Sequence, residues 1–317
     1  MIDYSPLLPR ILSNYALDIV HHEHLRTSEN TVVKLLAENG QTYALRIRKT
    51  AGPGHRQIVS ELVVLRDFRE HSHADLPAPV ATREGQLFCS LSIDGDDYMC
   101  VVFSWVAGVH VGARDIALPH MVSMARAVSR LHRFSAAYQP PEGFVRPVYD
   151  LEWFFGETSW SANPAFVERL PPPAAGYLRA ANDAVLDRLR RYPRTPASFG
   201  LIHYDLHVGN FLFHGTGANM IDFDECGFGY YLFDLAHILF EFIDHPRYGE
   251  FREAALGQYA EGRPGGRVPA DDLGLFLALQ GIAYANWLHR LFRRDGREDA
   301  LEYWVPTLVR RIQAVWE

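Results

Sequence analysis

The sequence has little that would cross-link the chain or hold it in a membrane. Only three of its 317 residues are cysteines, Cys89, Cys100 and Cys226, and their spacing fits neither a disulfide framework nor a zinc site. No apolar run approaches the roughly 18 residues that span a bilayer, and residues 1–15 do not resemble a signal peptide. We therefore expect a cytoplasmic protein with buried, reduced thiols and no membrane partner.

An excess of positive charge is also absent. The chain carries 31 Lys and Arg against 38 Asp and Glu, a formal net charge of −7. This balance disfavours a nucleic-acid partner and suits a cationic small molecule, although most surface acids only solvate a fold. The hydrophobic fraction of 48% is enough for a sizeable core without disulfides.

The first hundred residues show strand and hairpin patterns around one helix. Two turns, at Asn39-Gly40 and Asp94-Gly95, separate apolar runs in the manner of β-hairpins. Residues 58–68 have helical spacing. The predicted order is strand, strand, helix, strand, strand, with strands at residues 32–36, 43–48, 86–93 and 98–106.

The remaining two thirds of the chain have mainly helical patterns. Predicted helices lie near residues 118–131, 174–191, 231–243, 247–261, 272–293 and 297–316. Residues 211–213 and 220–223 form two short apolar pieces, which we expect to pair as a small hairpin. We predict an α+β fold with a β-rich lobe at residues 1–106 and a larger helical lobe at residues 107–317.

The densest group of polar side chains lies between residues 203 and 224. Asp205 and Asn210 precede the small hairpin, and Asp222 lies at its end. Magnesium prefers such oxygen ligands and takes the rest of its shell from water and phosphates. An Asp of this group that does not bind the metal could orient the hydroxyl of a substrate and accept its proton. Polar turn residues that only cap the backbone are the plainer interpretation, but the whole ordered set favours a metal site.

One strand and the following helix carry residues suited to a nucleotide. In residues 43–48 the alternation places Ala44 and Arg46 on one face, so a base would lie over Ala44 and phosphates would contact Arg46. Glu61 falls inside the apolar stripe of the helix, where a buried carboxylate needs a partner. We expect an Arg46–Glu61 ion pair; the alternative is a solvated Glu61.

These residues together resemble the aminoglycoside phosphotransferase family, which includes choline, ethanolamine and homoserine kinases and has a two-lobed, protein-kinase-like fold. The strongest matches are the strings GLIHYDLHVGN, IDFDECGFG and FDLA within residues 200–239. The resemblance implies ATP and Mg²⁺ as cofactors, Asp205 as catalytic base, and Asn210 and Asp222 as metal ligands. It also implies that Asp234 braces the catalytic loop.

For the nucleotide, the resemblance implies that Arg46 takes the place of a phosphate-binding lysine and that Glu61 is its helix partner. It implies further that adenine meets the backbone of a four-residue segment, namely Phe103, Ser104, Trp105 and Val106.

The sequence departs from that family at three places. Arg46 replaces a lysine and presents a planar fork instead of a point charge. Tyr204 stands where Gly or Ala is common and would narrow the site. The loop at residues 28–31 has no glycine, so other contacts must cover the phosphates.

Three other functions compete with a small-molecule kinase. A metal-dependent hydrolase using His203, Asp205 and His207 would leave Asn210 and Arg46 unexplained. A catalytically dead nucleotide-binding module has no support, because the polar set is complete. A Ser/Thr protein kinase of the bacterial stress-response type remains open, although the dozen residues after Asp222 leave little room for a peptide-docking segment.

The expected reaction is transfer of the γ-phosphate of ATP to a hydroxyl of an aminoglycoside, an amino alcohol or a homoserine-like molecule. The acceptor itself and the oligomeric state do not follow from the sequence. An aromatic stretch could form a wall for a sugar or a cation, although helix packing is the more common use of such residues. Its members are Trp153, Phe154, Phe155 and Trp160, with Glu157 among them.

Overall fold

The structure is a computed structural model that describes residues 4–27, 30–50, 54–72, 74–93, 95–263, 266–296 and 298–316. The chain forms two compact units, which we call unit 1 and unit 2. Unit 1 comprises the residues up to Val109 together with Gln139–Arg146 and Asn219–Asp224. Unit 2 comprises His110–Tyr138, Pro147–Ala218 and the residues from Glu225 onward. The expected division at residue 106 stays a prediction about the lobes, and two later segments belong to unit 1.

Unit 1 is built on an antiparallel sheet of five strands in the order β1-β2-β3-β5-β4. Its elements are α1 (Leu8–Leu12), β1 (Ile19–Thr27), β2 (Asn30–Ala37), β3 (Thr42–Thr50), α2 (Gly54–Ser72), β4 (Cys89–Ile93) and β5 (Asp96–Ser104). Gly40, with φ of +80°, closes the predicted hairpin between β2 and β3. At the second predicted hairpin, Gly95 also has a positive φ, while Asp94 lies outside the described residues.

The two faces of this sheet differ in chemistry. Alternate residues of β3, including Leu45 and Ile47, pack into an apolar core with Ile11 of α1 and Tyr15. The intervening residues, such as Arg46, point to the opposite face, where Glu61 of α2 meets them. The alternation that we predicted for β3 is therefore confirmed.

The first strand, β1, was not predicted. Its side chains are mostly exposed and alternate too little in polarity to reveal a strand, because the sequence IVHHEHLRT has no repeated apolar face. Backbone pairing with β2 holds it in place. The order strand, strand, helix, strand, strand is otherwise confirmed, since β2, β3, α2, β4 and β5 all overlap their predicted ranges.

Unit 2 is mainly helical, as predicted. Its helices are α3 (Leu118–Ala137), α4 (Leu151–Phe155), α5 (Pro164–Val167), α6 (Pro172–Arg191), α7 (Tyr231–Glu241), α8 (Tyr248–Gly262), α9 (Ala270–Asp295) and α10 (Glu298–Trp316). Its short strands are β6 (Val148–Tyr149), β7 (Phe199–Ile202), β8 (Phe211–His214) and β10 (Gly227–Tyr230). These strands matter for function because β7 and β10 pair side by side at the two ends of the polar segment.

Helix α7 lies at the centre of unit 2. Every residue from Tyr231 to Phe240 is buried, and the helix packs against α3, α8 and α9. A helix that is apolar all round is stable only when it is enclosed in this way. Two polar residues, Asp234 and His237, interrupt the apolar sequence one helical turn apart, which places them on the same face.

The small hairpin contains a correction. We predicted its second strand at residues 220–223, but β9 spans Gly217–Met220, and Phe223 lies in a 3₁₀ turn. The turn at Gly215 is short, so the strand begins earlier in the chain. Asp222 then adopts a φ of +66°, which an extended strand does not allow.

The expectations about cysteines and membrane segments concern the whole chain. All three cysteines are buried and free, as we predicted. Among the residues that the structure describes, no helix combines the length and the apolar character required to cross a bilayer.

Candidate active site

Asp234 fixes the loop that follows β7. Its two carboxylate oxygens accept the backbone N–H of His203 at 2.9 Å and that of Tyr204 at 2.8 Å. Nε2 of the buried His132 lies 3.0 Å from the same carboxylate. Burial alone would raise the pKa of Asp234, but His132 and these donors lower it below its ordinary value. The predicted brace of the loop is therefore a fully buried carboxylate that accepts two hydrogen bonds from the loop backbone.

Tyr204 holds the next position of the loop in a left-handed conformation, with φ of +75°. Such a backbone costs about 1–3 kcal/mol and persists only where surrounding contacts impose it. The ring stacks on Tyr149 with centroids 3.6 Å apart, and on its other side lies Phe233 at 5.3 Å. Trp153 Nε1 donates to the hydroxyl at 2.9 Å, and burial raises the pKa of Tyr204 to about 12. The side chain of Tyr204 thus supports the loop, and its fixed position fixes the backbone of the next residue, Asp205.

Asp205 presents a half-exposed carboxylate, with 44% of its side chain accessible. Asn210 Nδ2 donates to the Asp205 carbonyl at 2.8 Å and to its Oδ2 at 3.2 Å. His207 Nε2 lies 3.8 Å from Oδ2, and Gly209 N donates to the other nitrogen of that ring. A Cβ at position 209 would come within 2.8 Å of the His207 ring, so a larger residue there would require that ring to shift. The predicted base and its neighbouring amide are therefore held together.

His237 is a functional candidate that the sequence did not reveal to us. Its Nδ1 lies 2.9 Å from the Tyr204 carbonyl, which can only accept, so Nδ1 carries the proton. Burial lowers the pKa of His237, which therefore stays neutral and leaves Nε2 as an acceptor. Nε2 lies 3.9 Å from Asp205 Oδ1. Two acceptors that face one another at this distance can both bind one donor placed between them.

The His-x-Asp-x-His string does not gather its side chains at one point. His203 is fully buried, whereas the side chains of Asp205 and His207 are almost half exposed. Within the described ranges, no three His, Cys, Asp or Glu residues are grouped in a way that could hold a metal ion.

In unit 1, the Arg46–Glu61 ion pair is present as predicted. The guanidinium makes two parallel hydrogen bonds to the carboxylate, at 2.7 and 2.9 Å. The side chains are 9% and 1% exposed. Burial alone would lower the pKa of Arg46, but Glu61 reverses this and raises it, with smaller contributions from Asp224 and Asp222. The guanidinium also lies 5.0 Å from the centre of the Phe103 ring. A positively charged group is therefore fixed on the polar face of the sheet.

The predicted metal ligand Asp222 lies beside a second arginine. Arg26 Nη2 of β1 donates to Asp222 Oδ2 at 2.6 Å. Two residues later, Asp224 Oδ2 forms an ion pair with Arg48 Nη1 at 3.6 Å. The same oxygen accepts a hydrogen bond from Asn30 Nδ2 at 3.4 Å. The sequence did not predict these contacts of Asp222 and Asp224, because they join segments that are far apart in the chain.

The segment predicted to meet adenine begins at the end of β5. Phe103 pairs with Ala44 across β3 and β5, and Ser104 N donates to the Ala78 carbonyl at 2.8 Å. Trp105 is 38% exposed, whereas Val106 is buried. Of the predicted loop at residues 28–31, Ser28 and Glu29 lie outside the described residues.

The aromatic stretch divides between the two uses that we considered. Phe154 and Trp160 are core residues with 1% and 0% exposure. Trp153 is 37% exposed and reaches Tyr204, one residue before Asp205. The structure thus brings Asp205 and Asn210 together in unit 2. It brings Ala44, Arg46, Glu61, Phe103 and Asp222 together in unit 1.

Comparison with known proteins gives a consistent assignment. The chain is 22% identical over 224 residues to the amicoumacin kinase of Bacillus subtilis (strain 168). This match covers 70% of the chain and spans only 63% of that relative's length. Two solved structures share the fold. An amicoumacin kinase, hAmiN, in complex with AMP-PNP, Ca²⁺ and Ami has a TM-score of 0.77 at 20% identity, covering 98% of this chain and 93% of its own.

The second solved structure is a microcompartment-associated aminopropanol kinase. Its TM-score is 0.74 at 23% identity, covering 98% of this chain and 95% of its own. These likenesses confirm the predicted α+β, protein-kinase-like fold. Residues 23–269, well over half of the sequence, match the model of the phosphotransferase enzyme family. The chain belongs to the phosphotransferase enzyme family.

Proposed function

We propose that this protein transfers the γ-phosphate of ATP to a hydroxyl group of a small molecule. The observation that carries the proposal is the environment of Asp205. Its carboxylate is exposed to an incoming acceptor, while the buried Asp234 and the strained Tyr204 fix the loop on which it sits. A positioned carboxylate of this kind orients a hydroxyl and accepts its proton.

The transfer step assigns each group a simple task. The acceptor hydroxyl donates a hydrogen bond to Asp205, and its oxygen attacks the γ-phosphorus. The bond from that phosphorus to the β–γ bridging oxygen breaks, and ADP leaves with the electron pair. The proton passes to the Asp205 carboxylate, which His237 Nε2 supports as a second acceptor 3.9 Å away. Positioning and charge neutralisation supply most of the rate.

The nucleotide would be held by residues of unit 1. Arg46, fixed by Glu61, would bind phosphate oxygens, and Ala44 would lie against the base. The backbone from Phe103 through Ser104, Trp105 and Val106 would meet the edge of adenine. Support comes from the buried, bidentate geometry of the ion pair, which leaves the guanidinium charge in one place on the polar face.

Magnesium fits the two remaining polar residues by the chemistry of their donors. Asp222 offers carboxylate oxygens, and Asn210, whose Nδ2 is engaged with Asp205, offers its amide oxygen. Such hard oxygen donors suit Mg²⁺. When bound, the metal would neutralise charge on the phosphates.

The acceptor that we propose is a hydroxyl compound with an amine nearby. The structural relatives include kinases whose names refer to aminopropanol and amicoumacin. The facing acceptors of Asp205 and His237, together with the net charge of −7, favour a cationic, hydrogen-donating molecule. A peptide substrate is disfavoured because only a 3₁₀ turn (Phe223–Glu225) and β10 lie between Asp222 and the start of α7. We propose a cytoplasmic enzyme without a nucleic-acid partner.

The test is a screen for ATP consumption that depends on an acceptor. Aminopropanol, ethanolamine, choline, homoserine, amino sugars and aminoglycosides would each be incubated with Mg²⁺, ATP and the protein. A phosphate monoester should appear with at least one of them and not with the matching amine that lacks the hydroxyl. Turnover without nucleotide would instead favour the hydrolase, and phosphorylation of protein substrates alone would favour the protein kinase.

A further inference from the structure

A bulge in the edge strand of unit 1 determines which way Arg26 points. In β1, His24 pairs with Val33, and the next paired residue is Arg26, opposite Val32, so that Leu25 is the extra residue. Without the bulge, Arg26 would lie opposite Thr31, whose own partner is Ile47 of the apolar core. The extra residue therefore moves Arg26 from the core face to the opposite face of the sheet.

Arg26 consequently belongs to a row of side chains that runs across the sheet. Val32 pairs with Arg26 on one side and with Arg46 on the other. Residues directly opposite one another in neighbouring strands point to the same face. Arg26 and Arg46 therefore share one face, two strands apart, with Arg48 farther along the same strand as Arg46.

The side chain of Arg26 ends at the carboxylate proposed as a metal ligand. Nη2 donates to Asp222 Oδ2 at 2.6 Å, and 54% of the Arg26 side chain is exposed. A guanidinium has five N–H donors arranged in a fork, so one edge can hold a carboxylate while another binds a second anion. A divalent cation on Asp222 would repel this guanidinium, and phosphate oxygens on that cation would compensate the repulsion.

The chain also has no glycine between Arg26 and Thr31. In kinases a glycine-rich loop covers the nucleotide phosphates with its backbone. In this chain the penultimate residue of β1, Arg26, has a guanidinium fork just before that position in the sequence.

We propose that Arg26 binds the phosphates of the nucleotide and, with Arg46, forms a two-arginine cradle on the polar face of the unit 1 sheet. The proposal rests on the proposed function, because it requires that ATP binds unit 1. It adds a phosphate-binding residue that no motif in the sequence marks.

The test is equilibrium binding of three ligands, one nucleoside and two nucleotides, to Arg26→Ala and to wild type. Adenosine, ADP and a non-hydrolysable ATP analogue would be titrated in Mg²⁺ and again in EDTA, on preparations with matching circular dichroism. Because a charge-assisted hydrogen bond would be lost, Arg26→Ala should weaken binding of the ATP analogue by about 10- to 100-fold. Adenosine should bind as in wild type, and Arg26→Lys should fall between the two proteins.

Lys49→Ala is the matched control. Lys49 also makes a 2.6 Å ion pair, with Asp96, and its side chain is 56% exposed, but it points to the other face of the sheet. Lys49→Ala should bind all three ligands as wild type does. A similar loss in this variant would mean that surface charge alone is responsible, and would overturn the proposal.

The other outcomes are equally decisive. If wild type binds the ATP analogue and Arg26→Ala binds it as tightly or more tightly, this inference fails and the proposed function stands. An equal loss for adenosine would indicate distortion of the sheet, and a loss seen only with Mg²⁺ would mean that Arg26 merely places Asp222. Either result overturns the inference. A wild-type protein that binds no nucleotide contradicts the proposed function as well.

Discussion

The buried Arg46–Glu61 pair allows a quantitative prediction, because the two side chains are only 9% and 1% exposed. Removing one partner leaves an uncompensated charge in the interior, which typically costs about 3–5 kcal/mol of unfolding free energy. For Glu61→Ala we expect about 3 kcal/mol, at the lower end. The reason is that Asp222 and Asp224 still interact favourably with the remaining Arg46 charge.

The same reasoning predicts that removing both charges together costs less stability than removing either one alone. Arg46→Met combined with Glu61→Leu keeps the volume and leaves no buried charge, so the double variant should be more stable than either single one. Its nucleotide affinity should nevertheless be lost, because the phosphate-binding group is gone. Glu61→Ala should retain more nucleotide affinity than Arg46→Ala, since Glu61 only orients the guanidinium.

The assay is urea unfolding followed by tryptophan fluorescence, with nucleotide titration on the same preparations. Lys49→Ala is again the control, because an exposed ion pair contributes little to stability. The reasoning would be refuted if Glu61→Ala and Arg46→Ala both unfolded at the wild-type urea midpoint. It would also be refuted if the double variant were less stable than both single variants.

Three further predictions concern the metal, the loop and pH. Asp222→Ala should abolish transfer but keep a wild-type circular dichroism spectrum, because it removes a metal carboxylate and not a core residue; near-normal turnover would contradict this. Trp153→Phe removes the donor to the Tyr204 hydroxyl, which should cost about 1 kcal/mol of stability and lower kcat while nucleotide affinity stays unchanged. Burial lowers the pKa of His132, so below pH about 6.5 the unfolded chain binds more protons than the folded one. As the pH decreases below this value, the unfolding free energy should therefore decrease as well, by up to about 1.4 kcal/mol per pH unit from this histidine. His132→Gln should make the unfolding free energy depend less steeply on pH.

Local patterns in the sequence were sufficient where burial decides the structure. The alternation in β3 and the helical stripe of α2 placed Arg46 and Glu61 correctly, since a strand face and a helix face are both defined within a few residues. The long helices of unit 2 were predicted within about two residues of their bounds for the same reason, except that α3 continues six residues beyond its predicted end to Ala137. Asp234 was identified through the resemblance, and its buried hydrogen bonds agree with that assignment.

Features that depend on pairing between distant segments were missed. The strand β1 has no apolar face to reveal it, and the bulge that turns Arg26 toward Asp222 is visible only in the register with β2. The left-handed backbone of Tyr204 depends on rings from other elements. His237 could have been suspected, because it follows Asp234 by one helical turn, but its contact with Asp205 required the fold.

The central claim is that Asp205 acts as the base of an ATP-dependent transfer to a hydroxyl, and Asp205→Asn tests it most directly. The change preserves size and removes the proton-accepting charge. With an acceptor from the screen, Mg²⁺ and labelled ATP, transfer of the γ-phosphate should fall about 10²–10⁴-fold. Binding of the ATP analogue, measured on the same preparation, should match wild type. Transfer at the wild-type rate by Asp205→Asn would contradict the account of the site.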